Sequence, residues 1–112
     1  MIYADLLDRS ARLSRPDRKR AAALHQSASA AHQRQDYAGA AADLQNELNI
    51  DPANGSANYY YADCLARGAN NSLVVIDYLA RALTFDRSGE GGSQATEALR
   101  GIANPPQSNG QN

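Results

Sequence analysis

Laid on itself with a shift of 34 residues, the chain's second helical segment falls on its fourth. Ala23 meets Ala57, Ala28 meets Ala62, Ala30 meets Cys64 and Ala31 meets Leu65. One inserted residue near Ala69 changes the shift to 35, and the third segment then falls on the fifth. Leu44 meets Leu79, Leu48 meets Leu83, Ile50 meets Phe85 and Asp51 meets Asp86. A helical pair with this period cannot bury its apolar face alone and does so by stacking on the next pair, as in a solenoid. The recurring small residues mark where antiparallel helices cross closely. Composition points the same way: 22 alanines, one Phe and no Trp favour tight helix packing over a sheet.

Punctuation divides the chain into six helices. The first is expected from Ile2 to Leu13, with Ile2, Leu6, Leu7 and Leu13 apolar, and Ser14-Arg15-Pro16-Asp17 closes it. The second runs from Asp17 to Arg34, and the third follows Gln35-Asp36-Tyr37 to Asn49, with Ala40, Ala41, Leu44 and Leu48 at helical spacing. Asp51-Pro52-Ala53-Asn54-Gly55 reads as a turn and helix start, and a fourth helix covers Ser56 to Arg67, with Gly68 as its C-terminal cap. Asn70-Asn71-Ser72 caps a fifth, Leu73 to Phe85, whose stripe is Ile76, Leu79, Ala80 and Leu83. Gly89-Glu90-Gly91-Gly92 reads as a loop, Ser93 as an N-cap and Gln94 to Ala103 as a short last helix. Residues 104–112 are Pro, Gln, Ser, Asn and Gly, a composition expected to stay disordered.

From Ala21 to Arg87 the chain resembles the tetratricopeptide repeat family. The first repeat, 21–54, carries Asp36-Tyr37 at the turn, Ala40, Leu44 and the closing Asp51-Pro52. Its first helix departs from the pattern, with Leu24, Ser27 and Ala31 where Trp, Leu and Tyr are usual. The second repeat, 55–88, keeps Ala62, Leu79, Ala82-Leu83 and Asp86 but has Arg87 in place of the closing Pro. The resemblance implies an all-α fold of antiparallel helical hairpins stacked as a short right-handed solenoid. Two repeats are fewer than such a stack needs. Residues 1–15 are therefore expected to form a packing helix, the second half of a truncated repeat. Ala4, Ala11 and Pro16 have the spacing of Ala40, Glu47 and Pro52. Residues 16–103 then form the repeat domain, whose last helix, with Ala95, Ala98, Leu99 and Ile102, caps it. The chain reads either as a short, doubly capped protein or as a piece of a longer array.

Several classes of chemistry are excluded by composition and spacing. The net charge is −1, so no global field recruits nucleic acid. One cysteine excludes an internal disulfide framework and a Cys-rich zinc module; Cys64 itself is expected to be a buried, inert thiol. No apolar run approaches a membrane span, and the start lacks a secretion signal, so a cytoplasmic protein is expected. His25 and His32 lie seven residues apart, about 10 Å along one helix, too far for a metal site shared within it. No nucleophile elbow or other catalytic motif is present, and the Gly89–Ser93 stretch lacks the strand and lysine of a phosphate loop. No enzyme activity, metal or cofactor is expected. The sequon-like Asn54-Gly55-Ser56 and Asn70-Asn71-Ser72 are read as caps. Arg9, Arg12, Arg15, Arg18, Lys19 and Arg20 form the one strong charge cluster, read as a solvated surface beside Asp5, Asp8 and Asp17, with a patch for an acidic peptide or nucleic acid as the alternative.

The resemblance also assigns a groove. In that family the first helix of each hairpin lines the concave face. The matching positions are Ala22, His25, Ser29, His32 and Gln33, then Ser56, Tyr59, Asp63, Ala66 and Arg67. Tyr61 falls at a core position and Tyr60 at the groove edge. Tyr59, Asp63 and Arg67 follow at four-residue steps and share a face, so they are the expected central contacts. The candidate partner-binding residues are His25, Ser29, His32, Tyr59, Tyr60, Asp63 and Arg67. The family's carboxylate clamp for chaperone C-termini is not matched, because His25 and Ser29 stand where it has Lys and Asn. The expected function is a non-catalytic module that binds a peptide or helix of another protein, with self-association open at an uncapped end. The alternatives are a small bacterial secretion or assembly chaperone covering an amphipathic helix, or the docking domain of a larger enzyme or signalling protein. Ten Arg to one Lys is the bias of a high-GC bacterial gene.

Overall fold

The computed structural model describes residues 3–68, 72–86 and 89–103. They form six α-helices: α1 (Ala4–Ala11), α2 (Arg15–Gln33), α3 (Tyr37–Ile50), α4 (Gly55–Gly68), α5 (Ser72–Phe85) and α6 (Glu90–Ala103). No strand occurs among the described residues. Polar side chains start the helices where the orphan N–H groups need acceptors. Ser14 Oγ accepts from Asp17 N at 3.2 Å, with Pro16 in the first turn of α2. Asp36 Oδ1 accepts from Gly39 N at 3.0 Å, and Asn54 Oδ1 from Ala57 N at 3.0 Å. Asn70 and Asn71, Arg87 and the 104–112 tail lie outside the described residues.

The α2–α3 turn closes with two bonds that satisfy the last carbonyls of α2: Gln35 N to His32 O at 2.9 Å and Asp36 N to Ala31 O at 2.9 Å. This arrangement needs a left-handed residue, and Gln35 supplies it at φ 65°. A side chain in that region costs about 1 kcal/mol relative to glycine. Gln35→Gly is therefore expected to stabilise the chain by roughly 0.5–1 kcal/mol, less the entropy glycine adds to the unfolded state. Urea unfolding measures it; a destabilised variant would show that Gln35's own contacts outweigh the backbone strain.

Two hairpins, α2/α3 and α4/α5, stack through α3 on α4, and α6 covers the far side against α4 and α5. The core follows the small-residue register in two clusters. Ala28, Ala31, Ala40, Leu44, Leu48, Ala57 and Cys64 fill the first, and Ala62, Val75, Leu79, Ala82 and Ala95 the second. In α5 the deepest stripe is Val75, Leu79 and Ala82, one residue round from the expected Ile76 and Ala80, which are half-buried.

Three expectations are corrected. The Gly89-Glu90-Gly91-Gly92 stretch is not a loop: α6 begins at Glu90, Gly91 and Gly92 are buried, and Ser93 is an exposed residue inside the helix. Its first turn is capped by Asp86, whose Oδ2 accepts from Gly91 N at 3.0 Å. Glycine is needed there because a Cβ on Gly91 would lie 3.0 Å from the backbone of Gly55 and Ser56. The run of glycines is thus a close helix crossing. Gly68 is the last residue of α4, without the positive φ of a glycine cap.

The third correction concerns α1, which ends at Ala11 and not at Leu13 and buries none of its residues; Ile2 lies outside the described residues. The helix reaches over the outer side of both hairpins. Arg9 Nη2 donates to Asn49 O at 3.0 Å, Ser10 Oγ accepts from Ala53 N at 3.0 Å, and the Tyr3 ring meets Phe85 edge-on at 5.3 Å. These contacts go to the last turn of α3, the α3–α4 turn and α5. In the basic cluster, Arg12 pairs with Asp8 and Arg20 with Asp17, both exposed. The Arg20 hydrogen bond holds the Asp17 carboxyl below its usual range.

Candidate partner-binding groove

Both α2 and α4 pack on α3, leaving between them a cleft of about 100 Å³. Its floor is Leu44 of α3 and Ala28 of α2. Its walls are His25, Ser29, His32 and Gln33 on one side and Tyr60 on the other. Four of the expected site residues, His25, Ser29, His32 and Tyr60, therefore share one concavity.

The imidazoles are held from behind by carboxylates on the neighbouring helices. His32 Nε2 lies 2.8 Å from Asp63 Oδ2, the same oxygen that accepts from Arg67 Nε at 3.0 Å. A carboxylate oxygen accepts, so Nε2 carries the proton of His32. The Arg67 guanidinium also lies over the Tyr37 ring at 5.1 Å, and its bond to Asp63 strengthens its hold on its proton. Tyr60 is met edge-on by both His25 and His32, with ring centroids 6.4 and 5.5 Å away. The rim is thus a continuous run of imidazole, phenol, carboxylate and guanidinium built by two helices.

Tyr59 departs from its expected central place. It packs edge-on to Tyr60 at 5.2 Å, and its other side faces Ser93, Gln94, Glu97 and Ala98 of α6. Burial, then the Asp63 charge, pushes its phenol above the usual value. Asp63 acts as a brace, with both its neighbours on one oxygen. Tyr61 is at the core position expected of it, turned to the outer side against Tyr78 with centroids 4.7 Å apart. Cys64 is 2% exposed, and burial, with Asp63 adding to it, pushes its thiol up to about 11, so it is uncharged at neutral pH.

The residue that sequence reasoning missed is Glu47. It is 1% exposed, and its two carboxylate oxygens lie 3.0 and 3.2 Å from His25 Nδ1. Its position gave a signal: it sits three residues after Leu44 on the apolar stripe of α3, where the second repeat has Ala82. A carboxylate on an apolar stripe needs a donor from a neighbouring helix. His25 is that donor. The Glu47 hydrogen bond raises the His25 pKa from 6.5 against the opposing effect of burial.

The sign of the pH dependence follows. A pKa raised on folding favours the protonated imidazole in the folded chain. The stabilisation is complete below the unfolded value near 6.5 and is lost as pH rises through the higher folded value. The melting temperature is expected to rise when pH falls from about 8.5 to about 6, and His25→Gln to flatten that slope. Calorimetric scans of both chains across this window check it; an unchanged slope in the variant would assign the effect elsewhere.

Among the described residues no group of three or more His, Cys, Asp or Glu side chains is placed to hold a metal ion. No described helix is long and apolar enough to cross a membrane. Comparison with family models, with curated proteins and with solved structures found no match.

Proposed function

We propose that this chain is a non-catalytic protein–protein interaction module that holds a peptide or helical segment of another protein in the groove between α2 and α4. The observation that carries the reading is the construction of the cleft. An open concavity has an aliphatic floor at Leu44, an aromatic wall at Tyr60 and polar side chains already fixed by Asp63 and Glu47. Side chains ordered before binding lower the entropic cost of association. Tyrosine supplies contact area with few rotamers to freeze, and the Arg67 and His32 edges supply orientation. The sequence resemblance to the tetratricopeptide repeat supports the same face. Cys64 is buried and protonated, and the histidines are committed to carboxylates, an arrangement suited to recognition.

A photo-crosslinking residue at Gln33, exposed on the cleft wall, tests this beside one at Asp77, exposed on α5. A protein captured at Gln33 and not at Asp77, lost when Tyr60→Ala is added, is the expected result. A synthetic peptide covering its crosslinked segment should then bind the purified chain in calorimetry. Capture that is equal at both positions, or untouched by Tyr60→Ala, would refute the groove.

A further inference from the structure

The groove between α2 and α4 is walled by rings set at steep angles to one another. His25 and His32 meet Tyr60 edge-on at 74° and 76°, and Tyr60 meets Tyr59 at 70°. The two tyrosines therefore stand as a ridge. On one side lies the cleft floored by Leu44 and Ala28. On the other lies a shallower hollow between Tyr59 and Gln94, Glu97 and Ala98 of α6. The tyrosine centroids are 5.2 Å apart, so with a ring's half-thickness on each side the ridge is roughly 9 Å across. Neither phenol has a hydrogen-bond partner among the described residues, and neither hydroxyl is buried, so both are free to donate. Arg67, whose side chain is half-exposed, uses its Nε on Asp63 and keeps its Nη atoms free. It shares that Asp63 oxygen with His32, which places it at the cleft end of the ridge.

These features discriminate between backbone conformations. An α-helix is about 10 Å wide and spends its carbonyls internally, so it offers the phenols nothing and fills the cleft with one side chain at most. A β-strand needs a sheet edge, and no strand occurs among the described residues. A polyproline II segment repeats every three residues, about 9 Å, and leaves every carbonyl free to accept. We propose that the groove holds an extended Pro-x-x-Pro segment of a partner protein. One proline lies over Leu44 in the cleft, the other lies in the hollow beyond Tyr59, and an acidic residue flanks the cleft proline to meet Arg67. The intervening carbonyls accept from Tyr59 and Tyr60. His32 gives its Nε2 proton to Asp63, so its Nδ1 takes the N–H of an intervening residue. This inference rests on the reading of the groove as a partner site and names the partner's chemistry.

The test is a titration of the intact chain with a blocked peptide of Pro-Pro-Ala repeats about nine residues long, read by calorimetry and on the Tyr59, Tyr60 and His32 ring resonances. Saturable binding that moves all three rings is expected. Replacing the prolines by glycine and serine should weaken it about tenfold or more. Tyr60→Phe, which keeps the ring and loses the donor, should weaken it about fivefold, and Tyr78→Phe on the outer side should leave it unchanged. A glutamate at one end of the peptide should bind about threefold tighter than glutamine there, a gain that Arg67→Gln removes. No saturable binding, or binding indifferent to Tyr60→Phe, would overturn the proposal. A glycine–serine peptide or an amphipathic helix binding as tightly, and lost with Tyr60→Ala, would overturn the proline inference and leave the groove as a partner site. Tyr60 resonances that move when Pro105→Ala and Pro106→Ala are introduced without peptide would overturn it in favour of the chain's own segment as occupant.

Discussion

Replacing His25 by alanine is expected to destabilise the chain by about 2–3 kcal/mol near neutral pH, although His25 is itself only half-buried. The cost arises on the other helix. Without the imidazole, the Glu47 carboxylate, 1% exposed, is left in the α3 stripe with no donor. Breaking one side of a fully buried ion pair costs about 3–5 kcal/mol. The figure here is lower because the His25 side chain is 32% exposed, so water can follow it and partly solvate the carboxylate. The same argument predicts recovery. Removing the stranded charge with Glu47→Met, which keeps roughly the same volume, should restore more than half the loss in the double variant. Urea unfolding of the parent chain, of His25→Ala and of the double variant at about pH 7 measures both steps. A double variant no more stable than His25→Ala would mean that the imidazole's packing against Tyr60 is what was lost.

The contrast between the two repeats explains why this pair was hard to foresee. His25 and Glu47 of the first repeat stand opposite Tyr59 and Ala82 of the second, so a polar pair occupies a site that elsewhere is aromatic and small. Internal comparison shows the substitution, but only the placement of α2 against α3 shows that the two polar residues meet. Features set by neighbours in sequence were legible: the hairpins, the cap at Asn54, the buried Cys64 and the small-residue crossings. Features set by neighbours in space were not. Gly91 reads as a loop residue until Gly55 is known to lie against it. Asp63 reads as a groove contact until His32 and Arg67 are seen to share its oxygen. The groove itself was legible only in part: the histidines, Ser29 and Tyr60 line the cleft, while Tyr59 turns to α6, a helix whose start the glycine run concealed.

The largest single loss expected of an apolar truncation is Leu44→Ala, at about 3–4 kcal/mol. Of the 13 buried hydrophobic residues among those described, only Leu44, Leu48, Val75 and Leu79 are large; the rest are alanines and Cys64. Helices that cross on alanine are already at their closest approach, so they cannot move in to fill a void, and the full cavity cost is retained. A folded domain of this size is stable by about 5–15 kcal/mol in total, so the loss should lower the melting temperature by roughly 12 °C or more. Leu79→Ala, at the equivalent position of the second cluster, should cost a similar amount. The two differ in where the void opens. Leu44 also floors the cleft between α2 and α4, so its truncation deepens the groove, whereas Leu79 lines no part of it. Leu44→Met, which conserves volume, should cost less than about 1.5 kcal/mol and keep the floor. Leu44→Ala costing under about 1 kcal/mol would instead mean that α2 and α4 close over the gap. The groove would then be a consequence of one side chain propping two helices apart.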